Sequence, residues 1–153
     1  MVSGDPRAAA RCPGGVRLAP QSQRRRDHDC SRTSTTGTVE EHVRGENARD
    51  MDVVMSTFSN GDDVCVAYNG IPTKGHAKIR RSYEIRLNAL PDFRFEVKER
   101  HFSTDSLIAE HVLHFTSKQG QPVEVPMCIV YCFDEAGKLS EERVYIDEAR
   151  MVP

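Results

Sequence analysis

The sequence predicts an α+β domain. Three observations carry this. Helical patterns are confined to residues 38–90, four long alternating segments follow, and short turn signals separate those segments. Helices first and a meander of strands second implies a curved antiparallel sheet wrapped around the helices, open at one end like a cone.

The elements follow in order. "TVEEHVRGENARD" reads as a helix, with Thr38 as its cap and Glu41 completing a capping box. Asp50 caps a second, short helix, "MDVVMSTF". "SNGDD" is a turn, "VCVAY" a short strand and "NGIPTKG" a loop. "HAKIRRSYEIRLNAL" is a helix whose stripe runs through Ile79, Tyr83, Ile85 or Arg86, and Leu90; Pro91 ends it. The strands are "FRFEVKERHF", "SLIAEHVLHFTS", "PVEVPMCIVYCF" and "LSEERVYID", joined by "STDS", "KQGQ" and "DEAGK".

Residues 1–37 have a different composition. They are rich in Arg, Pro, Gly, Ser and Thr, and cannot bury enough apolar surface to fold alone. A disordered extension is expected there, with the folded domain at 38–151. The first residues lack the apolar core of a signal peptide. Seven arginines and three aspartates give this head +4, whereas 14 basic and 20 acidic side chains give the remainder −6. An acidic body argues against nucleic acid as the main partner. No run of eighteen apolar residues suggests a membrane span. Five cysteines without a CxxC read as thiols in a reducing compartment, so a cytoplasmic location is expected.

Several segments resemble a known family. "ALPDFRFEV" (89–97), "AEHVLHFT" (109–116) and "GQPVEVPMCIVYCFDEAGKLSEERVYID" (120–147) are similar to the SnoaL-like branch of the nuclear transport factor 2-like (NTF2-like) superfamily. "ENARDMDVVMSTFSNGD" (46–62) and "GHAKIRRSY" (75–83) fit the front half of that domain. The resemblance implies a cone-shaped NTF2-like fold, its N-terminal helices packed in a strongly curved antiparallel or mixed sheet around an apolar cavity. Some members are polyketide cyclases that use no cofactor; related folds hold epoxide hydrolases and ketosteroid isomerases. Relatives often carry an acid on the last strand, after the tryptophan of a "HWD"-like triplet. Against "EERVYID", Glu142 falls at the histidine, Arg143 at the tryptophan and Val144 at the aspartate. Tyr145 and Asp147 match the aromatic and acidic positions that follow.

Strand parity gives a separate reading. With "KQGQ" in simple register, Glu110 sits opposite Tyr131, Val112 opposite Ile129 and His114 opposite Met127. With the last hairpin in simple register, Tyr131 faces Glu142 and Ile129 faces Val144. One apolar wall would then carry Glu110, His114, Tyr131 and Glu142, the candidate catalytic set. A three-residue turn would bring Arg143, Tyr145 and Asp147 inward instead. A carboxylate shut in an apolar cavity resists desolvation and can exchange protons near neutral pH, which suits Glu110 to acid–base work. His114 offers an imidazole for the same task, and Tyr131 a donor to an oxyanion. The plainer alternatives are a solvent-facing Glu110, a structural His114, a packed Tyr131 and a Glu142 held in an ion pair. Tyr68 and Tyr83 would cover the cavity mouth, whereas His42 could reach the cavity or face solvent.

No GxGxxG, P-loop, HExxH or GxSxG motif is present, and no His/Cys/Asp group has metal-ligand spacing. The expected function is a small enzyme without a cofactor or metal, acting on a hydrophobic molecule by cyclase-, isomerase- or epoxide hydrolase-like chemistry. A non-catalytic binding module with the same cavity is the alternative. A third is a structural role, with the cone filled by Phe and Leu. A homodimer is expected through the outer sheet face, where His111, Leu113, Phe115, Val130 and Tyr145 are placed. Removing residues 1–37 should leave the melting temperature nearly unchanged. A loss of several degrees in a melt of the shortened chain would show that this segment packs on the domain.

Overall fold

The computed structural model describes residues 21–151 except Pro91 and Thr104. The first helix, α1 (Gln21–Ala48), begins within the segment expected to lack structure; residues 1–20 lie outside the described residues. Thr38 is therefore inside the helix rather than at its cap, and its hydroxyl donates to the Gly137 carbonyl (2.8 Å). The helix stops where Arg49 takes φ +57°, and Asp50 N–H closes back on the Gly45 carbonyl (2.9 Å). Asp50 then caps α2 (Met51–Ser56) as the sequence predicts, its carboxylate accepting from Val53 N–H (3.1 Å).

The segment read as a loop after β1 (Cys65–Tyr68) is a second strand, β2 (Ile71–Lys74). The signal was Asn69-Gly70: both residues have positive φ, as a tight two-residue hairpin turn requires. Helix α3 (His76–Ala89) buries Ile79, Tyr83 and Leu87, one residue per turn, and ends just before Pro91, which lies outside the described residues. Four strands follow: β3 (Arg94–Phe102), β4 (Ser106–Thr116), β5 (Pro122–Phe133) and β6 (Leu139–Ile146). The sheet order is β2-β1-β6-β5-β4-β3, and β1 runs parallel to β6.

The expected cone is not what forms. The sheet is open and mixed, and is not strongly curled. Strands β2 and β3 sit at opposite edges with no pairing between them. Strong curvature needs repeated bulges, whereas the register shifts only at Val97/Glu99 and at Cys132/Phe133. The helices pack on one face of this sheet. That face buries Leu107, Ile129 and Leu139 together with Val39 and Ile79 from the helices. Each such side chain contributes about 1.5–3 kcal/mol.

Turn chemistry sets which side chains face the helices. The β4–β5 connection is a three-residue loop, Lys118–Gly120, closed by Ser117 N–H to Gln121 O (2.8 Å) and Gly120 N–H to Ser117 O (2.9 Å). Gly120 occupies the left-handed position at φ +78°. This odd loop pairs Glu110 with Cys128 and His114 with Glu124, not with Tyr131 and Met127. The whole of β4 is turned over relative to the sequence reading. Leu107, Ala109, His111, Leu113 and Phe115 face the helices, so three residues assigned to a bare outer surface are buried. The β5–β6 connection uses the same kind of loop, with Asp134 N–H to Lys138 O (2.9 Å) and Gly137 at φ +74°. Here the bulge at Cys132/Phe133 restores the parity, and Tyr131 does pair with Glu142 and Ile129 with Val144.

No helix among the described residues is long and apolar enough to cross a membrane. Helices α1 and α2 meet at Gly45, where a Cβ would stand 2.9 Å from Val53 Cγ1 and 3.0 Å from the Val54 nitrogen. Gly45→Ala should therefore lose stability by about 1–3 kcal/mol through overpacking, although alanine favours a helix more than glycine does. Chemical denaturation of the two proteins checks this. A more stable alanine variant would mean that the helices can separate at no cost.

Candidate functional site

Helix α1 carries Val39, His42, Val43 and Glu46 on its buried stripe. The spacing is that of an apolar face, but two of the four residues are polar. Buried polar groups need partners, and these find theirs at the C-cap of α2, on α3 and on β6. His42 Nδ1 lies 2.8 Å from Thr57 Oγ1, and His42 Nε2 lies 3.2 Å from the Tyr83 hydroxyl. Tyr83 Oη is 2.6 Å from Glu142 Oε2. Glu142 Oε2 and Glu46 Oε2 stand 3.5 and 3.8 Å from His42 Nε2.

The chain of bonds fixes the protons. Thr57 donates its hydroxyl hydrogen to the Val54 carbonyl (2.6 Å), so it accepts from His42. Nδ1 then carries the imidazole proton and Nε2 is an acceptor. Burial supports a neutral ring, lowering the His42 pKa to about 3. When Glu142 is ionised, the Tyr83 hydroxyl donates to it. When Glu142 is protonated, the carboxyl can donate to Tyr83, which turns its own proton to His42 Nε2. Burial raises the Glu142 pKa, while the Tyr83 bond and Arg86 hold it down less strongly. Burial and then repulsion from Glu142 push Glu46 well above the usual carboxylate range.

Beside this network lies a cavity of about 230 Å³. Glu142, Glu46, Tyr83, Tyr68 and Arg86 supply its polar wall. Phe93, Phe95, Leu113, Met127, Ile129 and Val144 supply the apolar one. The Arg86 guanidinium lies over the rings of Tyr83 (4.6 Å) and Tyr68 (5.0 Å).

The four candidate catalytic residues are thus divided. Glu142 lines the cavity. Tyr131 is fully buried but outside the lining, with its hydroxyl 3.3 Å from His111 Nε2. Burial, and then Arg100, lower the His111 pKa to about 4. Glu110 is exposed on the opposite sheet face. His114 is on that face too, between Glu96 (3.0 Å) and Glu124 (3.3 Å). The reversed parity of β4 is the reason. The alternative in which Arg143, Tyr145 and Asp147 turn inward does not form: Arg143 pairs with Glu141 (2.7 Å), and Tyr145 and Asp147 are exposed. Glu46 and Thr57 are not among the residues the sequence singles out, and the sequence does not decide between cavity and solvent for His42. The signal for His42 and Glu46 is a polar residue at a helix position that periodicity assigns to the core; Thr57, just past the end of α2, carries no such signal.

The SnoaL-like domain family matches residues 39–142. The chain belongs to this family. Solved structures share its fold. One is RV0760c from Mycobacterium tuberculosis in complex with estradiol-17beta-hemisuccinate, at 19% identity and a TM-score of 0.66, covering 76% of this chain and 96% of that one. Another is SalBIII, an epoxide hydrolase/cyclase-like enzyme in pyran ring formation in the polyether salinomycin, at 17% identity and a TM-score of 0.67, covering 78% and 95%. A third is TerC co-crystallised with polyporic acid, at 17% identity and a TM-score of 0.68, covering 77% and 95%. No curated protein matches the chain. At these identities the similarity establishes the fold alone.

The buried carboxyls have a consequence for stability. The folded pKa of Glu46 lies above its unfolded value of 4.5, so its contribution is present at low pH and is lost as pH rises past that value toward the folded pKa. His42 acts in the opposite sense: its folded pKa of about 3 lies below 6.5, so stability is lost as pH falls through that interval. Glu46→Gln removes only the first effect. The variant should melt close to the parent near pH 4.5 and progressively above it toward pH 8. Melting curves across that range test this; a difference that does not change with pH would mean that Glu46 is ionised in the folded protein.

Proposed function

We propose that this SnoaL-like domain is an enzyme that moves a proton on a hydrophobic organic molecule held in the cavity. Glu142 is the acid and base, Tyr83 its partner, and His42 with Thr57 the pair that orients Tyr83. The observation that carries this reading is Glu142 itself. It is 1% exposed, it lines an apolar cavity, and it bonds to a phenol that has a second acceptor behind it.

In its carboxylic form Glu142 gives a proton to a substrate oxygen as a bond to that oxygen opens or as a carbonyl becomes an enol. The carboxylate left behind accepts from Tyr83, which steadies the charge beside the apolar wall. In the reverse sense the carboxylate removes a proton from carbon and stores it. Isomerase-, cyclase- and epoxide hydrolase-like reactions all need this step, and the cyclase-like activity of SalBIII lends weight to that group. One observation favours plain binding instead: Val144 lines the cavity at the position where the resemblance places an aspartate.

The test is a panel of polyketide-like ketones, epoxides and enones, followed by mass and absorbance. With a substrate in hand, Glu142→Gln should lower turnover by about 10²-fold or more while changing KM little. Full turnover with glutamine there would remove Glu142 from the chemistry. Ligands that bind across the panel without any bond change would establish the binding module.

A further inference from the structure

Arg86 has no part in the proton transfer proposed for Glu142. It lines the cavity, and its guanidinium is stacked against two aromatic rings. Its hydrogen bond among the described residues goes to the Ser82 hydroxyl (3.0 Å), a neutral group one helical turn away. Among the described residues no carboxylate stands within 4.0 Å of it; Arg49, Arg81 and Arg150 share this, but none of those three lines the cavity. A partly buried cation that lines a largely apolar cavity with no carboxylate in direct contact is poised to receive one.

The two carboxyls in the same wall do not take that place. His42 is set as a neutral ring by Thr57, so the satisfied form of the network has the proton on Glu142. Burial outweighs the pull of Arg86 on both Glu46 and Glu142. The geometry leaves both carboxyls of the wall outside ion-pair distance of Arg86, whose positive charge lines the cavity. The space is suited to a flat apolar body. A cavity of ~150 Å³ takes up benzene, and this one, at about 230 Å³, has room for one or two rings. Phe93 and Phe95 offer ring faces and edges, and Leu113 and Ile129 offer aliphatic surface.

We propose that the ligand of this cavity is an anion with a flat apolar body of one or two rings, its carboxylate, enolate or phenolate oxygen held by Arg86. This rests on the cavity being a small-molecule site, and it adds the charge of the molecule. The planar guanidinium can hold two oxygens at once while Tyr68 and Tyr83 keep its plane in place.

A matched pair of probes tests it on the full chain at pH 7.5. 2-Naphthoate and 2-naphthamide have nearly the same shape and differ in charge. Calorimetric titration should find the naphthoate bound about tenfold tighter or more, the scale of one charge-assisted hydrogen bond. Arg86→Gln should bring naphthoate down to the level of the amide, and Arg86→Lys should retain part of the preference. A melt of each variant confirms that it is folded; the lysine variant keeps the charge if glutamine does not fold. Equal binding of the two probes, or a preference that survives Arg86→Gln, overturns the anion proposal and leaves the small-molecule site standing. Failure of both probes to bind at millimolar concentration overturns the two together.

Discussion

The structure depends on a polar seam through its core. Thr57, His42, Tyr83 and Glu142 come from the C-cap of α2, α1, α3 and β6, and each satisfies the next. An apolar core tolerates sliding of one element over another so long as volume is kept. A hydrogen-bonded chain does not, because one missing partner leaves a buried group unpaired at a cost of about 1–3 kcal/mol. The seam therefore fixes how three helices sit on the sheet. It also concentrates proton-binding groups beside the cavity. The same bonds that hold the fold in register give Glu142 its environment.

Parity is the second constraint. Two hairpins close with nearly the same loop, one ending in Gly120 and the other in Gly137. In the first, the odd loop passes straight into the ladder and sends Glu110 and His114 outward. In the second, a bulge at Cys132/Phe133 cancels it and keeps Glu142 and Val144 inward. A single extra residue thus decides which face of a strand meets the helices, and the two outcomes occur in adjacent hairpins.

This explains what could be read in the sequence. Element types came through where periodicity ran long, as in β3 to β6 and α3, and where a cap was local, as at Asp50. The hairpin at Asn69-Gly70 was legible from its turn residues, although its second strand is short and exposed enough to pass for a loop. Overall curvature was not legible, because it depends on how many bulges interrupt the ladders. The inward face of β6 came out correctly, and that of β4 did not, since the register of each rests on one loop. His42 and Glu46 interrupt an apolar stripe, and nothing in α1 itself reveals what they meet. Their partners lie on elements distant in sequence. A polar residue in a core stripe is best read as a question addressed to the rest of the chain.

The parallel pairing of β1 with β6 has a consequence for the order of assembly. Strand β1 is made early in synthesis, but Cys65 to Tyr68 pair with Glu141 to Val144 near the far end. The hairpins of β3 to β6 can form from neighbouring residues, whereas this join must close a loop across most of the domain. Tyr68 and Glu142 reach the same cavity only once it has closed. Until then the β1–β2 hairpin has an unpaired edge, and the Glu142 carboxyl lacks the wall that buries it.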